Sequence, residues 1–222
     1  RVHSGPVYVS RTIQAGETMM KKWLTTLSVA TALICSPVHA AGDAKAGEQK
    51  ANTVCMACHG PMGNSVVPNW PKLAGQHPEY IYKQLKNFKD GAREDPQMTP
   101  MALPLTDEDM HNVAAYYASQ TQSAGAADPA VADLGERIYR GGIPENGVPA
   151  CTGCHGPAGM GQGLAKFPRI AGQHADYTKV TLTKFRDGAR ANDPNRMMGG
   201  VAARMSDQEI TSVSQYLQGL SQ

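Results

Sequence analysis

The pattern of hydrophobic and polar positions along the chain predicts helices joined by loops. No segment shows sustained alternation with a period of two, the spacing that a half-buried strand requires. Helix start signals recur instead. Asp43 precedes one predicted helix, Asp128 with Pro129 precedes another, and Thr106 and Ser206 each begin a four-residue capping-box pattern. We therefore expect an all-α fold.

A further helix is predicted after each Ala-Gly-Gln-His segment. These two helices are expected to stop at Gly91 and Gly188, because glycine is common just beyond a helix C-terminus. The last predicted helix of each half begins at a capping box and ends near Ser119 or Leu217. Between the halves, the small, polar and aperiodic segment 120–127 is predicted to be a linker.

The chain contains a tandem duplication. Cys-x-x-Cys-His-Gly-Pro begins at Cys55 and again at Cys151, 96 positions later. Pro-x-[Leu/Ile]-Ala-Gly-Gln follows at Pro71 and Pro168, and Asp-Gly-Ala-Arg occurs later in each copy. Because the order is kept throughout, the sequence predicts two tandem helical domains related by internal duplication.

The N-terminal region is expected to be an export signal rather than part of the fold. Segment 20–40 has a positive start, a mostly apolar stretch and a small-residue site of the A-x-A kind, which predicts a secretory signal peptide cleaved after Ala40. An uncleaved anchor is the alternative, although the apolar stretch is shorter than the ~20 residues of a membrane span. Residues 1–19 look like translated upstream sequence. We expect a periplasmic protein.

Composition adds a reason to expect a cofactor. Only 6% of the 222 residues are aromatic, with three Phe and two Trp. Two domains of ~90 residues are only marginally stable when their cores contain so few large apolar side chains, so a bound group is expected to fill each core. Residues 41–222 carry 17 Lys and Arg against 18 Asp and Glu, which gives no reason to expect nucleic acid as a partner.

The duplicated cysteine motif indicates which group that is, because Cys-x-x-Cys-His is the attachment signal for c-type haem. Cys55 and Cys58 are expected to lie on one side of a helical turn, where they form thioethers with the two haem vinyl groups, and His59 then faces the iron. The second copy supplies the same set, Cys151, Cys154 and His155. A disulfide, a thioredoxin-like redox pair and a zinc site are alternatives, but none explains why His-Gly follows the second cysteine twice.

The sixth iron ligand is predicted from the repeat. When the last helices are aligned, Met98 and Met198 are the downstream positions that carry Met in both copies. Ligation by His and Met raises the reduction potential and fills the coordination sphere of the iron. Three neighbouring methionines are the alternatives: Met101, Met197 and Met205.

A backbone carbonyl is expected to orient each histidine ligand. Pro71 and Pro168 lie at equivalent positions downstream of the motifs. We hypothesise that their carbonyl oxygens accept a hydrogen bond from the ring N–H of His59 and His155. Such a bond fixes the orientation of an iron ligand and raises its basicity.

Other polar residues recur in the two copies. His77 and His174 precede predicted helices, where a side chain is expected to cap, with iron ligation or contact to a haem propionate as the alternative. Four basic residues are also repeated: Lys72, Arg169, Arg93 and Arg190. They are expected either to neutralise haem propionates or to be solvated surface charges.

With these motifs and the spacing to Met98 and Met198, the sequence resembles the dihaem cytochrome c4 family over essentially all of residues 41–222. The resemblance implies two class I cytochrome c domains packed about a pseudo-twofold axis, with two covalent haem c groups near their interface. It implies the axial pairs His59 with Met98 and His155 with Met198. We expect domains at 41–119 and 128–222.

One feature departs from this regularity: the spacer from Arg93 to Met98 is shorter than that from Arg190 to Met198. The function implied by the resemblance is a periplasmic electron carrier, often associated with the membrane, between quinol-oxidising complexes and a terminal oxidase. The main alternative is the dihaem subunit of a flavin-containing sulfide dehydrogenase. A dihaem peroxidase is less favoured because both copies carry a methionine, and a purely structural haem is the remaining alternative.

Overall fold

The computed structural model describes residues 42–220, and these residues form ten α-helices without a β-strand. Two isolated β-bridges are the only extended pairing within this range. The segment 1–19, the predicted signal peptide 20–40 and its cleavage site after Ala40 lie outside the described residues. None of the described helices has both the length and the apolar character needed to span a membrane. The prediction of an all-α fold is confirmed.

Five helices belong to each copy of the repeat. In the first copy they are α1 (Ala44–Lys50), α2 (Met56–His59), α3 (Pro78–Lys89), α4 (Met98–Ala102) and α5 (Asp107–Ala118). In the second copy they are α6 (Pro129–Gly141), α7 (Thr152–His155), α8 (Ala175–Arg186), α9 (Met197–Ala202) and α10 (Asp207–Gly219). The equal number and order of helices agree with the duplication.

The helices begin where the sequence predicted. The carboxylates of Asp43 and Asp128 each accept a hydrogen bond from the backbone N–H two positions further on, at 2.8 and 2.9 Å. Thr106 and Ser206 complete their capping boxes, in which side chain and backbone bond in both directions. These caps satisfy N–H groups that have no partner within a helix.

Glycine ends the two central helices, as predicted. Gly91 follows α3 with φ +76°, and Gly188 follows α8 with φ +77°. Glycine adopts this left-handed conformation without the steric cost that a side chain adds. Both helices therefore end at equivalent points, and the chain continues to the methionine-bearing helices α4 and α9.

Close helix crossings hold each half together. In the first half α1 packs on α5, with Gly47 against the backbone of Asn112. In the second half α6 packs on α10, with Gly135 against the backbone of Ser212. A methyl group at either glycine would overlap a backbone carbonyl oxygen of the facing helix. The absence of a side chain therefore sets how closely the two helices approach.

The two halves differ in how the chain reaches the cysteine motif. In the first half, α1 continues through a π-helical turn, Ala51–Cys55, directly into α2. In the second half, α6 ends at Gly141, and a loop closed by a bridge between Ile143 and Val148 leads to α7. The duplication is thus exact in helix order but not in this connection.

Each half has its own apolar core. Cys55 packs against the first core and Cys151 against the second. The first core consists of Ala51, Ile81, Val113, Ala114, Tyr116 and Tyr117. The second consists of Ile138, Tyr139, Ile143, Val148, Leu182, Met205, Ile210, Val213 and Leu217. Both cores are small, as the scarcity of large apolar side chains predicted, and each reaches the residues of a cysteine motif.

We predict that Gly135→Ala lowers the free energy of unfolding by about 1–3 kcal/mol, because its methyl group forces the backbones of α6 and α10 apart. Gly141→Ala is the matched control in the same helix, since no atom lies within 4 Å of a methyl group there. The control should leave stability unchanged or raise it by up to about 1 kcal/mol. Chemical denaturation of the haem-loaded protein measures both values. Equal stability of the two variants would contradict the close crossing.

Candidate haem-binding sites

The first cysteine motif occupies a single helical turn. Cys55 ends the π-helical segment, and Cys58 and His59 belong to α2. Cys55 is partly buried, Cys58 is exposed and the His59 ring is buried. Gly60 ends α2 with φ +73°, and a side chain there would overlap the backbone of Asn64. The glycine of the motif is therefore required by the turn that follows the histidine.

The second motif has the same arrangement. Cys151 precedes α7 and is partly buried, Cys154 is exposed, and His155 is buried. Gly156 ends α7 with φ +75°, and its carbonyl oxygen accepts a hydrogen bond from the Tyr139 hydroxyl. The chain thus presents, twice, two thiols and one imidazole on a single turn.

A proline carbonyl orients the ring of each motif histidine. His59 Nδ1 donates to the Pro71 carbonyl at 2.9 Å, and His155 Nδ1 donates to the Pro168 carbonyl at 2.9 Å. This confirms the hypothesis drawn from the sequence. Burial lowers the pKa of both imidazoles, and the bonds to the prolines oppose that effect only in part. Neutral rings that donate through Nδ1 keep the lone pair of Nε2 for a metal.

The thiols fit covalent attachment better than the alternatives. All four described cysteines are free rather than paired in disulfides. Burial raises the pKa of Cys55 and raises that of Cys151 to about 11, whereas a redox-active thiol needs a lowered pKa. Over residues 42–220 no three His, Cys, Asp or Glu side chains are grouped as ligands, so a zinc site has no ligand set. The donor chemistry fits a haem held by two thioethers and an imidazole.

The two methionines predicted as iron ligands occupy equivalent places. Met98 is the first residue of α4 and Met198 the second of α9, and both are partly buried. Met198 also packs against the core of the second half. The three alternatives differ from this pair, since Met101 and Met197 are each 41% exposed and Met205 is only 5% exposed within the core.

Two aspartates that the sequence analysis did not single out hold the start of the methionine helices. Asp95 accepts from the backbone N–H of Met98 at 3.1 Å, and Asp193 accepts from that of Gly199 at 3.0 Å. Burial raises the pKa of Asp95, but backbone hydrogen bonds, that of Met98 first, more than offset it and lower the pKa. The signal in the sequence was an Asp-Pro pair ahead of the methionine in both copies.

The two halves belong to one compact unit and meet through reciprocal hydrogen bonds. The Gln173 side chain bonds both the N–H and the carbonyl of Lys72, each at 2.9 Å. The Gln76 side chain does the same to Arg169, at 2.9 and 2.8 Å. Because these residues are equivalent in the repeat, the contact has the pseudo-twofold symmetry that the resemblance implied.

A second reciprocal contact uses arginine and tyrosine. Arg190 donates to the Tyr80 hydroxyl at 2.9 Å, and Arg93 donates to that of Tyr177 at 3.4 Å. Burial by itself raises the pKa of Tyr177, but the two guanidinium groups outweigh it and lower that pKa to about 8. Lys72 and Arg190 are each only 5% exposed, so the expectation of solvated surface charge is wrong for both. They serve the interface between the halves.

His77 and His174 do not cap their helices, contrary to the prediction. Both stand at N-cap positions, but neither side chain bonds a helix N–H. His77 Nε2 lies 2.7 Å from the Met160 carbonyl, and His174 Nε2 lies 2.9 Å from the Ser65 carbonyl. Each ring thus bonds the backbone of the opposite half, because a carbonyl acceptor is within reach there and an unpaired nitrogen costs free energy even where it is only partly buried.

Comparisons with known proteins find relatives over most of the chain. A family model described as cytochrome c matches residues 44–121 and 132–221. Cytochrome c4 of Thiocapsa roseopersicina is 69% identical over 182 residues, which covers 82% of this chain and 94% of that protein. A thiosulfate dehydrogenase electron acceptor of Stutzerimonas stutzeri is 41% identical over 181 residues, which covers 79% of this chain and 83% of that protein.

A solved structure is also similar. The crystal structure of reduced recombinant cytochrome c4 from Pseudomonas stutzeri has a TM-score of 0.79 and 50% identity, and the match covers 82% of this chain and 100% of that chain. With one cytochrome c match on each copy of the motif, the chain carries two covalently bound haem c groups on its paired cysteines. It is an electron-transfer protein. The chain belongs to the cytochrome c4 family of dihaem cytochromes.

Proposed function

We propose that this protein is a periplasmic carrier that takes single electrons from a quinol-oxidising complex and delivers them to a terminal oxidase or reductase. The observation that carries the proposal is a pair of buried, neutral imidazoles, His59 and His155, each fixed by a proline carbonyl behind a Cys-x-x-Cys turn. Two such sites in one chain allow an electron to enter through one domain and leave through the other.

We assign His59 and Met98 as the axial ligands of one iron, and His155 and Met198 as those of the other. When bound, haem c supplies an iron that gains or loses one electron. The equivalent positions of the two methionines and their partial burial support the assignment. Two protein ligands on each iron leave no open position for a substrate, which is the chemistry of a carrier rather than of a peroxidase.

The remaining residues of each site keep the ligands in place. The proline carbonyls fix the imidazole planes, and the carboxylates of Asp95 and Asp193 hold the backbone at the start of the methionine helices. Ligands that are held by such supporting bonds keep one geometry in both oxidation states. Small rearrangement on electron transfer is what a carrier needs.

Export and domain organisation complete the proposal. We assign segment 20–40 as the signal peptide, cleaved after Ala40. The two carrier domains are 41–119 and 128–222, joined by the linker 120–127. An exported location fits covalent haem attachment behind a signal sequence, and peripheral contact with the membrane brings the carrier near membrane-bound respiratory complexes.

A second electron donor is a thiosulfate-oxidising enzyme. The observation that favours it is the 41% identity with a protein named as the electron acceptor of thiosulfate dehydrogenase. In this case the two haem domains work in the same way, and only the docking partner differs.

We predict that the protein purified from the periplasm contains two low-spin haems per chain and does not bind carbon monoxide. The physical reason is that both irons have a histidine and a methionine ligand, so no axial position is open. Optical spectra of the oxidised and reduced protein, with and without carbon monoxide, measure this directly. A high-spin haem, or a band that moves with carbon monoxide, would refute closed ligation and redirect the search to a substrate at that iron.

We predict that Met98→Leu and Met198→Leu each open one of the two haems to carbon monoxide, while the double variant opens both. Leucine fills a similar volume but offers no sulfur ligand. Met101→Leu and Met197→Leu are the matched controls, because these neighbouring side chains are exposed. The fraction of haem that binds carbon monoxide is measured optically. Binding in a control variant, or none in Met98→Leu or Met198→Leu, would show that the ligand assignment is wrong.

We predict that a purified quinol-oxidising complex, supplied with quinol, reduces both haems within seconds. Thiosulfate dehydrogenase with thiosulfate is the parallel assay for the second donor, and stopped-flow absorbance follows both reactions. If thiosulfate dehydrogenase reduces the haems faster than the quinol-oxidising complex does, the thiosulfate-oxidising enzyme is the donor and the quinol donor is wrong. Purification of the protein in a stoichiometric complex with a flavoprotein would instead support the sulfide dehydrogenase subunit.

A further inference from the structure

One peptide group connects the His59 imidazole to the opposite half of the molecule. The carbonyl of the Pro71–Lys72 peptide accepts from His59 Nδ1 at 2.9 Å. The N–H of the same peptide donates to the side-chain oxygen of Gln173, also at 2.9 Å. His59 and Gln173, which belong to different halves, are therefore joined through a single planar, conjugated unit.

The same arrangement occurs in the other direction. The carbonyl of the Pro168–Arg169 peptide accepts from His155 Nδ1 at 2.9 Å. Its N–H donates to the Gln76 side-chain oxygen at 2.9 Å. Each histidine ligand thus ends a short chain of hydrogen bonds that begins at a glutamine of the opposite half.

The two glutamines are held firmly. Each is only 8% exposed. Besides the bonds already described, the Gln173 oxygen accepts from the backbone N–H of His174 at 3.0 Å, and the Gln76 oxygen accepts from that of His77 at 3.0 Å. The amide nitrogens donate to the carbonyls of Lys72 and Arg169. All of these bonds require one orientation of the amide, with its oxygen toward the peptide N–H.

Hydrogen bonds in such a chain polarise one another. A peptide whose N–H is hydrogen-bonded carries more negative charge on its carbonyl oxygen, and the bond that this oxygen accepts becomes stronger. A stronger bond from the imidazole Nδ1–H makes the ring a more basic ligand. A more basic ligand favours the oxidised iron and lowers its reduction potential, because hydrogen bonding around the ligands is one means by which a protein tunes a haem.

We propose that Gln173 and Gln76 are positioning residues that lower the reduction potential of the haem in the opposite domain. Gln173 acts on the haem of His59, and Gln76 acts on the haem of His155. The inference rests on the proposed ligation by these histidines. Docking of the two domains therefore helps to set the reduction potentials of both haems. By the same coupling, oxidation of a haem strengthens the hydrogen bonds between its domain and the other domain.

The experiment measures both potentials in the haem-loaded Gln173→Met and Gln76→Met proteins. NMR signals of the two axial methionine methyl groups, assigned with Met98→Leu and Met198→Leu, report each haem separately during a redox titration. Gln173→Met should raise the potential of the His59 haem, and Gln76→Met that of the His155 haem. The expected change is about two- to fivefold in the equilibrium constant, or ~20–40 mV at 59 mV per tenfold.

Two control variants separate tuning from loss of structure. Gln173→Glu keeps an oxygen acceptor for the Lys72 N–H, so it should not raise the potential of the His59 haem. Gln84→Met removes another buried glutamine of the interface, which bonds Arg93, Arg190 and Asn192 but neither proline peptide. Gln84→Met should not change the reduction potential of one haem more than that of the other.

The sign of the change in reduction potential, and the haem at which it occurs, separate tuning from loss of structure. Loosening of the interface exposes both haems to water, which stabilises the oxidised, more charged form and lowers both potentials. A fall of both potentials, a change at the haem of the variant's own domain, or no change would each overturn the proposal. Spectra of the unaltered protein test the histidine and methionine ligation independently, so a failure here is distinguishable from a failure of the proposed function.

Discussion

The hydrogen bond from each buried imidazole to a proline carbonyl constrains the rest of the structure. It fixes the plane of His59 and of His155, and with them the direction in which Nε2 faces. The turn after each cysteine motif must therefore bring the chain back to the proline, which explains the left-handed glycine directly after each histidine. The glutamines of the opposite half bond the same proline peptides, so these two segments also form part of the interface between the domains.

The pseudo-symmetry of the two halves is not complete, and the differences fall at the starts of the two methionine helices. Lys184 of α8 lies 3.5 Å from Asp95, the residue that holds the start of α4. The equivalent Asp193 has one carboxylate oxygen without a hydrogen-bond partner. The longer spacer of the second copy forms an extra turn, Pro194–Arg196, in which two residues have positive φ. With the ligation proposed above, the two haem sites have the same ligand set but different surroundings, a physical basis for unequal potentials.

Charge at the interface is concentrated on side chains that belong to the repeat. Arg93 and Arg190 each lie over a phenylalanine ring of their own half, 4.5 Å from its centroid, and each donates to a tyrosine of the other half. Although burial opposes them, the guanidinium groups favour the ionised form of Tyr177 and so lower its pKa. Two cations of like sign, Arg190 buried and Arg93 partly buried, are tolerated because tyrosine hydroxyls and the Gln84 oxygen accept their hydrogen bonds.

The sequence by itself determined the helices, the duplication and the chemistry of the cofactor. These depend on local signals: capping residues such as Thr106, glycines such as Gly91, and a five-residue attachment motif. The spacing of that motif places its cysteines and its histidine on one helical turn. Even the bond from His59 to Pro71 could be anticipated, because both residues recur in the second copy, 12 positions apart in the first copy and 13 in the second. The role of His77 was misjudged from the same local context, since a position ahead of a helix resembles a cap whatever lies opposite it.

Only the tertiary structure decided how the two halves recognise each other. Gln76 and Gln173 were visible as repeated letters, but hydrogen bonds between residues about 100 positions apart leave no local pattern. Lys72 and Arg190 were expected either to neutralise haem propionates or to be surface charges, because the sequence does not show that the second copy covers the first. Local backbone preferences fix elements and motifs, whereas burial of a polar side chain depends on which distant surface packs against it, and that is settled by the fold as a whole.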